Sequence, residues 1–448
     1  MRPPLTPDAT AVSPVVWIVT VLVLTYAALH FAASGVRFPI DHPNLGKFDE
    51  QTAPLREYLA NGAPVARRNP QQYGPVFLFV MRPLLRTAPD DRALAKTLYA
   101  IQLVCLIGSF LLTCAALRPL MPAGDTARRL LVVAWLAAIW MNFSPLHTVL
   151  ALKSVESWEL LLIALALYAH LKAWPWPAAL AIASAGLIKV LPFVFLYYWL
   201  VTDRRTFAYA CAVLTALLVA GHVVYGPEMG LWYLPRVAAG AGGSSYGLDW
   251  HENVSLKAAF AKSLGYLPPP SHDAMRTSGY YLVLAGWRRT AAIILGDVSV
   301  IAGFAALTWT WLSAGAARSQ RRILWEWSAL TVALLILSPN TIFEYLTLAL
   351  GAISYAFVRI LTAERRSASA RALFTASLFF MGGVVPRSWL NRLTMIDTLN
   401  QWTRLTHLSA SEAYQYYCFP LAGLVLLMAT CGSVGDGELP RHDRTRPR

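Results

Sequence analysis

The chain has 448 residues, of which 56% are hydrophobic and only 14% carry a charge. An average soluble domain has about 25% charged residues, so this composition excludes a soluble protein, whose surface it could not cover. The net charge of +14 fits either nucleic-acid binding or basic loops on the cytoplasmic face of a membrane. Since no nucleic-acid-binding module occurs in the sequence, we expect an integral membrane protein without a nucleic-acid partner.

The first apolar run, residues 15–36, contains one ionisable side chain, His30. About 20 such residues span the hydrocarbon core of a bilayer. A transmembrane helix is therefore predicted after a cytoplasmic tail, residues 1–14. A cleaved signal peptide is the alternative, but this run is longer than the usual apolar core of about 7–15 residues and has only Arg2 as a basic flank.

Further apolar runs predict an all-α polytopic membrane protein with about twelve transmembrane helices in a single domain, residues 15–431, followed by a basic cytoplasmic tail, residues 432–448. The predicted spans are 15–36, 93–117, 130–147, 157–171, 177–188, 191–202, 207–225, 291–313, 324–338, 343–360, 371–385 and 414–431. Two of them, 177–188 and 191–202, are too short to cross a bilayer unaided. One long helix over 177–202 is the rival interpretation.

The basic residues favour the two short helices, because only that arrangement puts the basic clusters on one side, which should be the cytoplasm. These clusters are Arg118, Arg128 and Arg129; Lys172; Arg204 and Arg205; Arg318, Arg321 and Arg322; and Arg365, Arg366 and Arg371. Loops 37–92, 226–290 and 386–413 then lie on the extracytoplasmic face of the plasma (inner) membrane. The first two are far longer than usual connections, and such loops tend to be functional.

The loop over residues 37–92 carries the candidate catalytic acid. Asp49 follows the first span, and a carboxylate at the membrane surface can act as a general base for an attacking hydroxyl. Glu50 and Asp41 are alternatives in the same loop, and a solvated loop acid is the non-functional interpretation. Residues 52–62 predict a short helix between this acid and the rest of the loop.

The same loop contains two cations and an aromatic turn. Arg67 and Arg68 can bind a phosphate through bidentate, charge-assisted hydrogen bonds, or can contact lipid head groups instead. Tyr73-Gly74-Pro75 predicts a turn that fixes a phenol near the surface, with an interfacial aromatic anchor as the alternative.

Two later segments place charge near the same face. Lys189 lies between two short apolar helices, where it needs a partner or a water-filled cavity; extension of its side chain to the interface is the alternative. Ser338-Pro339 precedes Glu344 and Tyr345 at the start of a span, where the helix dipole also tolerates an acid.

The remaining polar residues have structural explanations. Glu156 and Glu159 flank a helix start, and Asp297, inside an apolar run, is expected to make a structural hydrogen bond. Asn253-Val254-Ser255 fits the N-glycosylation pattern, which is too common to be specific. No metal, disulfide or soluble-cofactor motif occurs, so no cofactor is expected and an enzyme would take its activated group from a donor in the membrane.

These motifs, in this order, resemble the GT-C class of membrane glycosyltransferases, and most closely glycosyltransferase family 87, the polyprenyl-phosphate-mannose-dependent mannosyltransferases. The resemblance covers most of residues 15–360. It rests on Asp49; Tyr58-Leu59 with Gly62; Tyr73-Gly74-Pro75; Gly186-Leu187-Ile188-Lys189-Val190-Leu191-Pro192; Asn253-Val254-Ser255-Leu256; and Ser338-Pro339 followed by Glu344-Tyr345. The chain departs from the family pattern at Gly74, which replaces a proline, at residues 152–161, which replace an Asn/Gln-rich stretch, and at Glu344-Tyr345, which stand near the place of a histidine.

The resemblance implies a GT-C-like bundle that transfers a hexose, with mannose as the expected sugar, from a polyprenyl-phosphate donor to a hydroxyl of a glycolipid or glycan. Transfer would invert the anomeric carbon, with Asp49 as general base and without a metal. Substrate or phosphate contacts are implied for Arg67, Arg68, Tyr73, Lys189, Lys257 and Glu344.

Two other classes of protein remain as alternatives. A transporter or flippase also fits about twelve spans, although transporters place ionisable groups near the midplane and often have two related halves. Neither feature occurs in this sequence. A lipid-linked polysaccharide polymerase or ligase would also use a large outer loop with arginines.

Overall fold

The computed structural model describes residues 12–37, 56, 74–122, 124–227, 230–231, 233–235, 247–248, 250, 252–265, 282–313, 318–362, 367–382 and 414–434. Its α-helices are α1 (Pro14–Phe31), α2 (Pro75–Thr87), α3 (Asp91–Leu117), α4 (Thr126–Asn142), α5 (Ser144–Leu152), α6 (Glu156–Leu171), α7 (Pro175–Ile188), α8 (Val194–Thr202), α9 (Arg204–Tyr225), α10 (Leu256–Leu264), α11 (Trp287–Ser313), α12 (Gln320–Leu337), α13 (Leu350–Thr362), α14 (Ala368–Phe380) and α15 (Phe419–Ser433). A π-helical turn follows α1 at Ala32–Arg37, and 3-10 segments lie at Arg118–Leu120, Leu191–Phe193 and Phe343–Ala349.

The described residues confirm an all-α polytopic membrane protein. Five segments among them are long and apolar enough to cross a membrane: Pro14–Arg37, Asp91–Leu120, Arg204–Tyr225, Trp287–Ser313 and Phe343–Thr362. A sixth is obtained if α4 and α5, which meet at an angle of 54°, form one broken span. Other apolar helices, such as α7, α14 and α15, have fewer than 18 residues, so the total of about twelve spans stays a prediction.

Local sequence explains where these helices begin. Proline occupies the first or second position of α1, α2, α5, α7 and α15, where the backbone N–H has no partner inside the helix and no hydrogen bond is lost. Aspartate or serine side chains cap α3, α4, α9, α10, α12 and α14 by accepting a backbone N–H; these caps are Asp90, Asp125, Asp203, Ser255, Ser319 and Ser367.

Burial separates lipid-facing helices from central ones. Only 11% of the apolar part of Pro14–Arg37 and of α11 is buried within the protein, against 72% for Phe343–Thr362. Ile301 and Trp309 of α11 expose 69% and 76% of their surface, as expected for contact with lipid rather than water. The 3-10 segment and α13 therefore occupy the centre of the bundle, packed against α5, α6 and α12.

The chain breaks between α7 and α8, as the short apolar runs predict. Helix α7 ends at Ile188, and α8 begins at Val194 after a 3-10 turn that contains Pro192. Proline lacks the backbone N–H that a continuous helix needs and restricts the preceding residue. Two short helices are thus confirmed, and one long helix over 177–202 is wrong.

The turn between α5 and α6 lies beside the middle of α3 rather than beside the start of that helix. The side-chain amide of Gln102 donates a hydrogen bond of 2.8 Å to the carbonyl of Ser154 in that turn, and Gln102 is about 16 Å along α3 from Asp91. On α11, Asp297 pairs with Lys257 about 15 Å from the first residue of that helix. At this end of the bundle, the turns lie deeper than the first residues of α3 and α11. We call it the recessed end.

A buried ion cluster lies toward the opposite end, near the start of α12. Glu326 is fully buried and accepts hydrogen bonds from Arg318 (3.1 Å), Arg322 (2.9 Å) and Tyr198 (2.9 Å). Both arginines also donate to backbone carbonyls in the last turns of α11. This group, which we call the arginine cluster, joins α8, α11 and α12.

Candidate active site

Two buried acids begin α6 at the recessed end. Glu156 and Glu159 are 0% and 1% exposed. The preceding turn is shaped by Lys153, which adopts a left-handed backbone conformation (φ 51°), and is anchored to α3 through the amide of Gln102. Both carboxylates therefore face the protein interior, whereas the sequence favoured ordinary helix-start acids.

Lys189 forms an ion pair with Glu156. Its Nζ atom lies 2.6 Å from Oε1 of Glu156, and 12% of the lysine side chain remains exposed. The second carboxylate oxygen accepts a short hydrogen bond from the hydroxyl of Ser154. Lys189 thus has the partner that an intramembrane lysine requires, and that partner belongs to a helix start 33 residues earlier.

An aromatic ring forms a second wall of this site. Nζ of Lys189 lies 3.8 Å from the ring centroid of Tyr345, a cation–π distance. Glu344 and Tyr345 lie in the first turn of the 3-10 segment and are 5% and 8% exposed. Lys189 and the start of this 3-10 segment thus lie together, while convergence of Asp49, Lys189 and Glu344 on one outer cavity stays a prediction. We call Glu156, Glu159, Lys189 and Tyr345 the Lys189 site.

Glu159 adds a second carboxylate to this site. It is close enough to interact electrostatically with Lys189 and Glu156. Neither of its carboxylate oxygens has a hydrogen-bond partner within the described ranges. Most buried polar atoms in proteins are hydrogen-bonded, so this ionisable group inside a membrane bundle is a candidate functional residue.

Two motifs that are distant in sequence are hydrogen-bonded to each other. The amide of Asn253 donates to the carbonyls of Gly247 (3.0 Å) and Pro339 (2.8 Å) and accepts from the backbone N–H groups of Ser255 (3.0 Å) and Thr341 (2.9 Å). This fully buried side chain fixes the connection that leads from α12 to Tyr345. The motif therefore has a structural role.

Gly74 packs against the end of α7. A Cβ atom at this position would lie 2.3 Å from the carbonyl oxygen of Leu187 and 2.8 Å from the ring of Tyr233, so only glycine fits. The N–H of Gly74 also donates to the carbonyl of Ile188 (3.3 Å). This contact places the start of α2 next to the turn that carries Lys189.

Lys257 has a different partner. Its Nζ lies 2.9 Å from Oδ1 of Asp297, and its side-chain carbons lie against Gly296, where an added Cβ would approach to 2.5 Å. Asp297 therefore makes the structural interaction expected for it, and this ion pair joins α10 to α11. A role for Lys257 in binding substrate stays a prediction.

Lys262 is a buried cation that the sequence did not single out. Its Nζ donates to the carbonyls of Asn253 (2.6 Å) and Gln415 (2.9 Å) and contacts Sγ of Cys418 at 3.7 Å. Burial lowers the pKa of this amine. Lys262 joins α10 to the turn before α15, and a lysine in a nine-residue helix gives no sequence signal for such a role.

Four predicted site residues, Asp49, Arg67, Arg68 and Tyr73, lie outside the described residues, as do the alternatives Asp41 and Glu50. The structure thus brings Lys189, Glu344 and Gly74 into one region and places Lys257 on Asp297. Sequence reasoning missed Glu156 and Glu159 as parts of this site. The sequence signal for them was a pair of acids within residues 152–161. They stand at the start of an apolar run that closely follows another predicted span.

A recessed ammonium beside an aromatic ring can bind an anionic group that enters from the membrane. A comparison with protein families adds an independent result. The model of glycosyltransferase family 87 matches residues 72–339, more than half of the chain, and this range includes Gly74, Glu156, Lys189 and Asn253. No curated protein matches the chain.

Proposed function

The chain belongs to glycosyltransferase family 87, and on this premise we propose that it moves a hexose, with mannose as the expected sugar, from a polyprenyl-phosphate carrier to a hydroxyl of a glycolipid or glycan. It is a membrane glycosyltransferase. Such an enzyme acts on a sugar donor and a lipid or glycan acceptor in the membrane. What we propose beyond this is the identity of the carrier, the sugar and the acceptor.

The observation that carries this proposal is the Lys189 ammonium, held at the recessed end between Glu156 and Tyr345. A carrier lipid has its tail among the helices and its phosphate at the membrane surface. A cation at this depth can reach that phosphate while the tail stays in the hydrocarbon region.

We assign the role of general base to Asp49. The acceptor oxygen forms a bond to the anomeric carbon while the bond from that carbon to the phosphate oxygen breaks. The electron pair leaves with the polyprenyl phosphate, and the hydroxyl proton passes to the carboxylate. A single displacement of this kind inverts the anomeric configuration.

Cationic side chains stabilise the charge that develops on the leaving phosphate. We assign phosphate contacts to Arg67, Arg68 and Lys189 with a contribution from Lys257, and substrate contacts to Tyr73 and Glu344. The phosphate is already a good leaving group, so this scheme gives no step to a metal or a cofactor.

We place the reaction on the extracytoplasmic face of the plasma membrane. The basic loops support this orientation, because Arg318 and Arg322 lie in a cluster toward the end of the bundle opposite Lys189. Lysine and arginine accumulate on the cytoplasmic side of membrane proteins, which leaves the recessed end on the other side.

Reconstitution tests the proposal. Purified protein in liposomes is incubated with labelled polyprenyl-phosphate mannose, the glucose analogue or a nucleotide sugar, together with a membrane lipid extract. We expect labelled glycolipid from a polyprenyl-phosphate sugar and none from the nucleotide sugar. Transfer from the nucleotide sugar, or transport of a solute without any new glycosidic bond, would contradict the proposed donor.

Asp49→Asn tests the base. Loss of a positioned base lowers the rate about 100-fold or more, whereas binding of polyprenyl phosphate should persist. The matched control is Asp8→Asn in the predicted cytoplasmic tail, which should transfer sugar at the wild-type rate. If Glu50→Gln abolishes transfer and Asp49→Asn does not, the assignment to Asp49 is wrong.

A further inference from the structure

Glu156 has no step in the chemistry above, yet its carboxylate forms an ion pair with Lys189. The two side chains are separated by 2.6 Å, and the carboxylate is fully buried while the lysine keeps 12% exposure. The pair therefore has a fixed interior member and a member that reaches the accessible side of the site.

The carboxylate is itself held in place. Ser154 donates its hydroxyl to the second oxygen of Glu156, and the backbone carbonyl of Ser154 accepts a hydrogen bond from Gln102 on α3. A chain of contacts thus runs from the middle of α3 through the turn to the carboxylate and on to Lys189. Each link limits rotation of the next.

We propose that Glu156 is a positioning residue, which holds the ammonium of Lys189 where it meets the phosphate of the polyprenyl-phosphate donor. This inference rests on the function proposed above. A lysine side chain has four rotatable carbon–carbon bonds and loses considerable conformational entropy when it is ordered. Binding to Glu156 and to the face of Tyr345 orders it before the donor arrives, so less entropy is lost on binding.

Some phosphoryl-transfer enzymes also use a glutamate to position a lysine that contacts phosphate. In protein kinases, a glutamate must pair with a lysine before that lysine can act on the phosphates of the nucleotide. The carboxylate reduces the total positive charge near the phosphate but fixes the geometry of the cation. Geometry is the greater need here, because a flexible lysine would otherwise extend to the interface.

A double-mutant cycle tests this role in nanodiscs, with binding of polyprenyl phosphate and transfer kinetics both measured. We expect Glu156→Gln to weaken carrier binding and raise the donor KM about tenfold, and Lys189→Gln to do so about 30-fold, values in the usual range for coupled buried charges. The double variant should lie within about twofold of Lys189→Gln, because Glu156 acts only through Lys189. Glu156→Asp keeps the charge and should fall between wild type and Glu156→Gln.

The positioning role would be overturned if the fold-changes of the two single variants multiplied in the double variant. It would also be overturned if Glu156→Gln lowered the Tm but left carrier binding and the donor KM unchanged. Those results would leave the proposed function intact if wild-type protein still transfers sugar. Conversely, a wild type that transfers no sugar, but whose carrier binding obeys the cycle, would contradict the proposed function alone. Failure of wild type to bind polyprenyl phosphate would overturn both.

Discussion

Two buried carboxylate clusters lie toward opposite ends of the bundle and differ in how their charges are satisfied. In the arginine cluster, one carboxylate, Glu326, accepts three hydrogen bonds, and both arginines also reach backbone carbonyls. In the Lys189 site, two carboxylates face one lysine, and Glu159 has no hydrogen-bond partner among the described residues.

This difference indicates that the arginine cluster stabilises the fold, whereas the Lys189 site serves function. Removing one member of a saturated buried ion cluster leaves the others without a partner and destabilises the fold strongly. A site with an unsatisfied carboxylate and an ammonium that remains 12% exposed is poorly explained by stability, because each unpaired buried polar group lowers it. We therefore expect variants of the two clusters to affect different measurements.

The largest expected effect on folding is that of Glu326→Ala. It leaves Arg318 and Arg322, whose side chains are 10% and 12% exposed, without their carboxylate, and we expect the free energy of unfolding to fall by about 3–5 kcal/mol, measured by denaturant titration in detergent. The rate of sugar transfer per folded molecule should not change. Arg321→Ala, an exposed neighbour, is the control, and loss of transfer without loss of stability in Glu326→Ala would remove the distinction between the clusters.

A smaller effect is expected for Gly74→Ala, which acts on both stability and transfer. The added methyl group would lie 2.3 Å from the carbonyl of Leu187, and overpacking of this kind destabilises by about 1–3 kcal/mol. Since the displaced backbone leads directly to Lys189, transfer should also decline. In Gly432→Ala the new methyl group has no atom within 4 Å, so this control should behave as wild type; equal loss in both variants would contradict the packing argument.

The smallest effect is expected at Tyr345, where the ring and the hydroxyl can be tested separately. Tyr345→Leu removes the cation–π contact with Lys189, which contributes about 1–2 kcal/mol when desolvated, and should raise the donor KM severalfold. Tyr345→Phe keeps the ring and should raise it less. A larger increase for Tyr345→Phe than for Tyr345→Leu would show that the hydroxyl, rather than the ring, matters.

The helical architecture could be predicted from the sequence because apolar run length and proline position act locally. The break after Ile188 followed from two runs that were each too short to span a bilayer, and the structure confirms it. The 3-10 conformation of Phe343–Ala349 could not be predicted, because this apolar segment is held in place by contacts with α5, α6 and α12.

The candidate site was predictable only in part, because its geometry depends on long-range pairs. Lys189 was identifiable as a cation between apolar runs, but Glu156 looked like an ordinary acid at a helix start, and nothing local shows that it faces Lys189. The structure also places Gly74, Glu156 and Tyr345 around Lys189.

The most direct test of the central claim is an electron cryo-microscopy structure of the protein with bound polyprenyl phosphate. We expect phosphate density within about 3 Å of Nζ of Lys189, with the contact between Lys189 and Glu156 retained and the lipid tail between helices. Phosphate density bound away from Lys189, with that lysine turned toward the membrane surface, would contradict it.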